Sequence, residues 1–374
     1  MLQNENLKNL DKKKSVQLGG FSDLEIMNIE QYVHCSNLDY NIDLEVCKSD
    51  IMTDLEVCNF DIMAEALKYF KPKKEQSNFL SAIYEHLGLY RQADRVLDCG
   101  SLLEFGIYQD VISKETEKKL MFGNFCKNRL CPMCNWRRSM KLFTQVNICM
   151  NALAKDNFDF LFLTLTIKNC KGSQLRHNLD ILLKGYFKLF HDNRRIKKVV
   201  KGSYRAFEVT YNKLTDTYHP HLHCVLAVNK SYFKKDYIKQ SEWAELWQNC
   251  INSDYLPVID IRSVKSKKGE NRENISFVDV CEELSKYVVK GSDFLNEKDF
   301  EGSCLRVSDL LSALTSRRLV GFTGVFSKVR KQFNLDDPES SNLTDLGLNV
   351  PRGDLVKVVR LGFVNGEYVV LKNE

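Results

Sequence analysis

The sequence His219-Pro220-His221-Leu222-His223 lies in a run, residues 220–228, that reads as a β-strand. Alternation along a strand sends Leu222, Cys224, Leu226 and Val228 to one face and His221 and His223 to the other. Residues two apart on a strand are about 6.5–7 Å apart at Cα, so both imidazoles can converge on one ion. The preceding strand-like run, 203–211, offers a third ligand. If the turn spans Asn212 to Thr217, antiparallel pairing sets Glu208 opposite His221 on the same face. Two imidazoles and a carboxylate, with positions left open, suit Mn²⁺ or Mg²⁺. Such an ion acts as a Lewis acid on a phosphate oxygen and orients the bond for in-line attack. Histidines on an exposed sheet face are often mere surface residues. A pair of them opposite a carboxylate argues for a site. His219 shares the parity but starts the strand, so it is an outer or DNA-contacting candidate only.

About sixty residues on, Glu283-Leu284-Ser285-Lys286-Tyr287 lies in a run, 277–290, that reads as a helix. Glu283 and Tyr287 are four apart and share a helical face; Lys286 adjoins Tyr287 and Lys290 is one turn further on. A phenol with a pKa near 10 is a weak nucleophile at neutral pH. A polarised phosphate and nearby ammonium groups lower that barrier by stabilising developing charge. Attack by Tyr287 would leave a 5′-phosphotyrosine, and Glu283 could then act as general base toward a water or a 3′-hydroxyl. Taken alone, Glu-x-x-x-Tyr is common on amphipathic helices and Tyr287 reads as well as a core aromatic. Its place behind the histidine strand is what favours chemistry.

A third cluster is Cys126-x₄-Cys131-Pro132-x-Cys134, with Cys99 upstream as a fourth thiolate. This set is expected to close a tetrahedral structural Zn²⁺ site. Arg129, Arg137 and Arg138 decorate it and, with Lys286 and Lys290, are the candidate DNA-binding cations.

The elements that must position these residues follow from periodicity. Residues 79–97 are helical in period, with Leu80, Ile83, Tyr84 and Leu87 three to four apart. From residue 158 strand-like runs fall at 158–167, 203–211, 220–228 and 257–264, with helix-like runs at 174–192 and 234–250, then the 277–290 helix. The order β-α-β-β-α-β, then α, predicts an α+β fold: a ferredoxin-like split βαβ antiparallel sheet with helices on one face. Its third strand should lie between the first and second. Residues 306–333 read as one or two helices, and Asn365-Gly366 between alternating apolar runs predicts a hairpin over 354–372. The expected organisation is a variable, partly disordered segment at 1–75, a helical and Cys₄ zinc-binding region at 76–145, a nuclease domain at 150–295, a helical region at 300–340 and a C-terminal tail with a hairpin at 341–374. Asp-Leu-Glu-Val-Cys occurs at Asp43 and again at Asp54, a local duplication too short for a solenoid.

Composition bounds these readings. The chain has 374 residues, 44% of them apolar, enough for a packed core. Its longest apolar run, at 158–167, cannot span a bilayer and the first twenty residues lack a signal-peptide core. Thirteen cysteines, an odd count without secretory context, favour a reducing cytoplasm. Residues 1–98 carry 11 Lys+Arg against 17 Asp+Glu, while the remainder carries 43 against 32, so a basic C-terminal part faces a polyanionic partner.

Together the chain resembles the rolling-circle plasmid replication initiators with a HUH (His-hydrophobic-His) nuclease domain, in their single-tyrosine subgroup. The stretches that carry the resemblance are 126–138, Phe162-Leu-Thr-Leu-Thr166, His219–His223, Glu283–Tyr287, Arg318-Leu-Val-Gly-Phe-Thr-Gly-Val-Phe326 and Phe333-Asn-Leu-Asp-Asp337, in the family's order. The resemblance implies nicking at a double-strand origin, with Tyr287 bonded to the 5′ end and the 3′-hydroxyl priming synthesis. It implies metal binding by His221 and His223 and a role for Glu283 in the second cleavage that ends the cycle. The implied partners are plasmid origin DNA, single-stranded or cruciform at the nick, and a host helicase and polymerase, with room for a homodimer. Glu208 as third ligand rests on strand pairing instead. A relaxase or transposase would share this chemistry. A non-haem iron oxygenase would use the two histidines and carboxylate without Tyr287, and a non-catalytic zinc-knuckle DNA-binding protein would need neither histidine.

Overall fold

The computed structural model describes residues 62–264, 277–286, 289–347, 351 and 353–372; the Asp-Leu-Glu-Val-Cys duplication and Tyr287 lie outside these described residues. A π-helical turn, Ala66–Phe70, leads into α1 (Lys71–His86) and then α2 (Tyr90–Leu97). The single helix expected over 79–97 is therefore two. Gly88 takes φ +71° between them, a left-handed conformation that glycine reaches without a Cβ clash. Ile62, Ala66 and Phe70, within the segment expected at 1–75, are buried in the core. The cysteine region holds a hairpin that periodicity did not reveal, β1 (Leu102–Gln109) and β2 (Thr116–Gly123), and then the long α3 (Pro132–Lys155), with proline at its first turn.

The remaining elements are β3 (Asp159–Thr166), α4 (Gly172–His191), α5 (Arg194–Val199), β4 (Val200–Asn212), β5 (Thr217–Val228), α6 (Gln240–Ile251), β6 (Ile259–Val264), α7 (Val278–Ser285), α8 (Gly291–Phe294), α9 (Phe300–Leu314), β7 (Val320–Thr323), α10 (Gly324–Gln332), β8 (Asp354–Val364) and β9 (Glu367–Val370). The chain is α+β with antiparallel sheets. One sheet runs β6-β3-β5-β4-β7, so β5, the histidine strand, lies between β3 and β4 in its middle. Strand β7 adds a fifth member from a stretch read as wholly helical; it pairs with β4 from Ala206↔Val320 to Ser203↔Thr323.

Helices cover this sheet on both faces, which corrects the expectation of helices on one. Helices α4 and α6 pack on the Leu222-Cys224-Leu226 side, where Trp243 and Trp247 are fully buried and Trp247 Nε1 donates to Thr166 O. The opposite side is roofed at one end by α7 and α10. Phe160 meets Phe277 edge-on at 5.3 Å and Phe326 at 6.4 Å, and Tyr204 OH donates to Leu284 O. Beneath them Val225 and Ala227, on the histidine face, are fully buried, which a helix-free face would not allow. Burying the Val225 side chain contributes about 1.5–3 kcal/mol. The His221–His223 end of that face meets the last turn of α7, from which Glu283 reaches His223.

A second sheet runs β2-β1-β8-β9. Asn365 and Gly366 close the β8–β9 hairpin with φ +51° and +86°, as a two-residue primed turn requires. The hairpin is no free tail: β8 pairs with β1, and Tyr368 OH donates to Gly100 O at 2.6 Å beside the cysteines.

Candidate active site

Strand register builds the site. Asn212 pairs with Thr217, and from that turn Glu208 falls opposite His221, Ala206 opposite His223 and Thr164 of β3 opposite His223. Paired residues share a face, so Glu208, His221, His223 and Thr164 all point to the side where α7 ends. Glu208 Oε2 lies 3.0 Å from His221 Nε2 and 2.7 Å from His223 Nε2, and the two Nε2 atoms are 3.1 Å apart. All three residues are 7% exposed.

The outer nitrogens fix the imidazoles. His221 Nδ1 lies 3.1 Å from His219 O, a carbonyl that can only accept, so Nδ1 carries a proton and Nε2 is the nitrogen that faces the cluster. His223 Nδ1 meets Thr164 Oγ1 at 3.2 Å, and His219 Nδ1 meets Asn169 Oδ1 at 2.7 Å. Orienting contacts of this kind on the far nitrogen are typical of metal-binding histidines. Burial by itself would raise the Glu208 carboxyl's pKa, but the hydrogen bonds and charge of His221 and His223 outweigh it and hold it well below the ordinary range. Two imidazole nitrogens and a carboxylate oxygen, aimed at one point, repel unless a cation or protons sit among them. That donor set fits a divalent ion.

Glu283 joins from α7, its Oε1 3.7 Å from His223 Nε2, and Lys286 pairs with its other oxygen. The helix expected over 277–290 stops earlier, at Ser285, and Lys286 turns to ψ +122°. The last-turn carbonyls are taken by side chains instead: Tyr204 OH on Leu284 O and Ser285 Oγ on Glu282 O. The helical face expected to join Glu283, Tyr287 and Lys290 runs past the end of α7 and falls in part outside the described residues. Glu283 and Lys286 are at the cluster, Lys290 is exposed at the start of α8, and Tyr287 itself lies outside the described residues.

The four cysteines do come together. Cys99 Sγ lies 3.5 Å from Cys134 Sγ and 3.6 Å from Cys131 Sγ, and Cys126 Sγ lies 3.6 Å from Cys134 Sγ. Backbone amides of Cys126, Lys127 and Asn128 donate to Cys99, Cys134 and Cys126 sulfurs at 3.2–3.4 Å. Amides turned onto three of the four buried sulfurs suit thiolates on a tetrahedral ion. Hydrogen bonds from Cys126 and its neighbours push the Cys99 and Cys134 thiols up.

Two of the arginines read as DNA contacts are corrected. Arg137 is 5% exposed and donates to Leu343 O and Thr344 O, and Arg138 is 1% exposed and donates to Lys127 O and Asn128 O. Both bind this chain's own carbonyls because they fall on the inward face of α3. Arg129, half-buried, caps the end of α9 through Leu314 O and Arg317 O. Sequence reasoning also missed Thr164 and Asp293. Thr164 was reachable by extending the strand pairing to β3. Asp293 on α8 had no local signal; burial raises its carboxyl's pKa, Lys290 pulls it back, and the charge of Glu208 raises it further.

Comparison with known proteins agrees in kind. Residues 117–352 match the family described as Replication protein. A Bacillus sp protein named Protein rep is 37% identical over 277 residues, 71% of this chain and 88% of the relative. Proteins of that name from Bacillus amyloliquefaciens (36% over 296 residues, 74% and 85%) and Streptococcus pneumoniae (35% over 281 residues, 73% and 82%) are similar to it as well. No solved structure matches the chain.

Proposed function

The chain belongs to this replication-protein family and is a plasmid rolling-circle replication initiator; on that premise we propose that it nicks one strand at a double-strand origin through Tyr287, on a nuclease unit of the ferredoxin-like HUH class. The central position of β5 between β3 and β4 supports that class. The observation that carries the reading is the convergence of Glu208, His221 and His223 with Glu283, which follows them by sixty residues or more and still lies 3.7 Å from His223.

His221 Nε2, His223 Nε2 and Glu208 Oε2 would hold a divalent ion, Mn²⁺ or Mg²⁺, which when bound polarises a phosphate oxygen. The four cysteines would hold a structural Zn²⁺. The Tyr287 hydroxyl gives up its proton as its oxygen bonds to phosphorus, the P–O3′ bond breaks, and the departing oxygen takes up a proton to become the 3′-hydroxyl primer, so protons balance. Lys286 adds positive charge beside the developing negative charge. Glu283, oriented by Lys286, accepts a proton from the water or 3′-hydroxyl of the closing step. The partners are then origin DNA, single-stranded or cruciform at the nick, with a host helicase and polymerase, and the chain acts alone or as a homodimer.

End-labelled single-stranded origin oligonucleotides incubated with the protein and Mn²⁺ should give a denaturation-resistant complex whose label maps to Tyr287. EDTA should stop its formation, and Mn²⁺ or Mg²⁺ in excess should restore it. Equal complex formation in EDTA would remove the metal from the reading. Glu283→Ala should still produce the first nick but release several-fold fewer monomeric circles, counted on gels from a plasmid replication assay. An unchanged circle yield would take Glu283 out of termination.

A further inference from the structure

Two motifs that the nicking chemistry leaves unused, 318–326 and 333–337, meet the basic residues of the cysteine region around one cavity. It has a volume of about 390 Å³ and five cations in its wall, Lys127, Arg129, Arg138, Arg317 and Arg318, against two carboxylates, Asp337 and Glu339. The cations are held mainly by neutral groups. Arg129 donates to Leu314 O and Arg317 O, Arg138 to Asn128 O, Arg317 to Ala313 O and Arg176 O, and Lys127 to Ser340 O. Carbonyls orient a guanidinium without cancelling its charge. Three of the cations also pair with carboxylates, Arg317 with Asp180 at 2.6 Å, Arg318 with Asp337 at 2.9 Å and Arg129 with Glu339 at 3.9 Å. Glu339 also accepts from the amides of Leu319 and Val320 at 3.0 and 3.1 Å. Even with Asp180 counted, positive charge is in excess in a confined space, which is unfavourable until an anion enters. Lys127 and Arg318 are exposed at its mouth and Ser340 adds a hydroxyl.

We infer that this cavity is a phosphate-binding site that grips the DNA backbone away from the nicking cluster. Its size matches a group larger than a single ion, and its polar, cationic lining excludes an apolar ligand. Lys127 and Arg318, exposed at the mouth, present the donors that phosphate oxygens accept, and the guanidiniums held behind them by carbonyls add positive charge. The inference rests on the reading that the protein binds DNA, and it separates from the nicking chemistry because it concerns non-covalent binding only.

The test uses the full chain carrying Tyr287→Phe, which removes covalent capture, and a 30-base-pair duplex of arbitrary sequence. The affinity is measured from about 50 to 200 mM salt. Each phosphate contact contributes about −0.9 to the slope of log affinity against log salt. Lys127→Gln with Arg318→Gln should flatten that slope by about two, with the melting temperature checked in parallel. Asp337→Asn, which keeps an acceptor but removes a negative charge, should tighten binding by about twofold or more. Loss of folding would move both variants the same way, so opposite signs identify the charge. An unchanged slope in the double variant overturns the assignment. ATP is the probe for the other source of phosphate. If it binds at micromolar concentration and the binding is lost in Lys127→Gln, while the duplex slope stays fixed, the cavity is a nucleotide site and the backbone assignment falls. Adduct formation plays no part in these readouts, so failure of the nicking scheme leaves them interpretable.

Discussion

Replacing Tyr287 with phenylalanine should abolish the covalent protein–DNA complex while leaving DNA binding within about tenfold, the size of one lost hydrogen bond. The change removes one oxygen atom and keeps the ring. Under the proposed chemistry that atom forms the bond to phosphorus, so no other part of the site can stand in for it. Removing a nucleophile of this kind costs on the order of 10⁴–10⁶-fold in rate. The described neighbours support the assignment: Lys286 pairs with Glu283, and Glu283 reaches to within 3.7 Å of His223. The measurement is autoradiography of a denaturing gel with 5′- and 3′-labelled oligonucleotides. Label retained on the downstream fragment in the phenylalanine variant at the wild-type level would assign the attack to another residue. Nicking that persists without any adduct would instead point to water as the nucleophile, with Glu283 as its base.

How much of this was legible in the sequence differs from element to element. The pairing of Glu208 with His221 followed from one turn placed at Asn212–Thr217, because a two-residue side-chain period leaves register little freedom once one face is known. The β1–β2 hairpin was not legible. Lys118 and Lys119 interrupt the alternation on an edge strand, and the partner that completes the sheet, β8, comes more than two hundred residues later. The two-sided covering of the main sheet was hidden for a related reason. The strand composition Val225-Leu226-Ala227-Val228 is apolar on both parities, a sign of burial on both faces that was outweighed by the histidines at its start. Helix α7 was drawn too long because its end is set by Tyr204, a residue eighty positions earlier that takes the Leu284 carbonyl. The arginines on α3 show the same limit: charge predicts exposure, and only the fold reveals that Arg137 and Arg138 fasten loops.

Replacing Cys131 with serine should release the proposed zinc and lower the melting temperature by ten degrees or more, because this residue links the sulfur cluster to the framework of the active site. Cys131 is fully buried, caps the start of α3 and lies 3.6 Å from Cys99 Sγ. Burial alone would raise its thiol's pKa, but hydrogen bonds from Cys126, Cys134 and Cys99 outweigh that and hold it well below the ordinary value. A zinc ligand at this position must be a thiolate, and serine's hydroxyl does not ionise to replace it. Structural zinc contributes about 10–16 kcal/mol to small domains. Here α3 also packs in the main body, so partial rather than total unfolding is expected. The damage should travel, because Met150 of α3 touches Cys281 of α7 at 3.9 Å, and α7 holds Glu283 at the histidine cluster. Zinc content by mass spectrometry of the metal, melting by circular dichroism and adduct yield should therefore fall together. If the purified wild-type chain binds no zinc, or if the serine variant melts unchanged, the four sulfurs are a packing cluster and the link from α3 to catalysis fails with them.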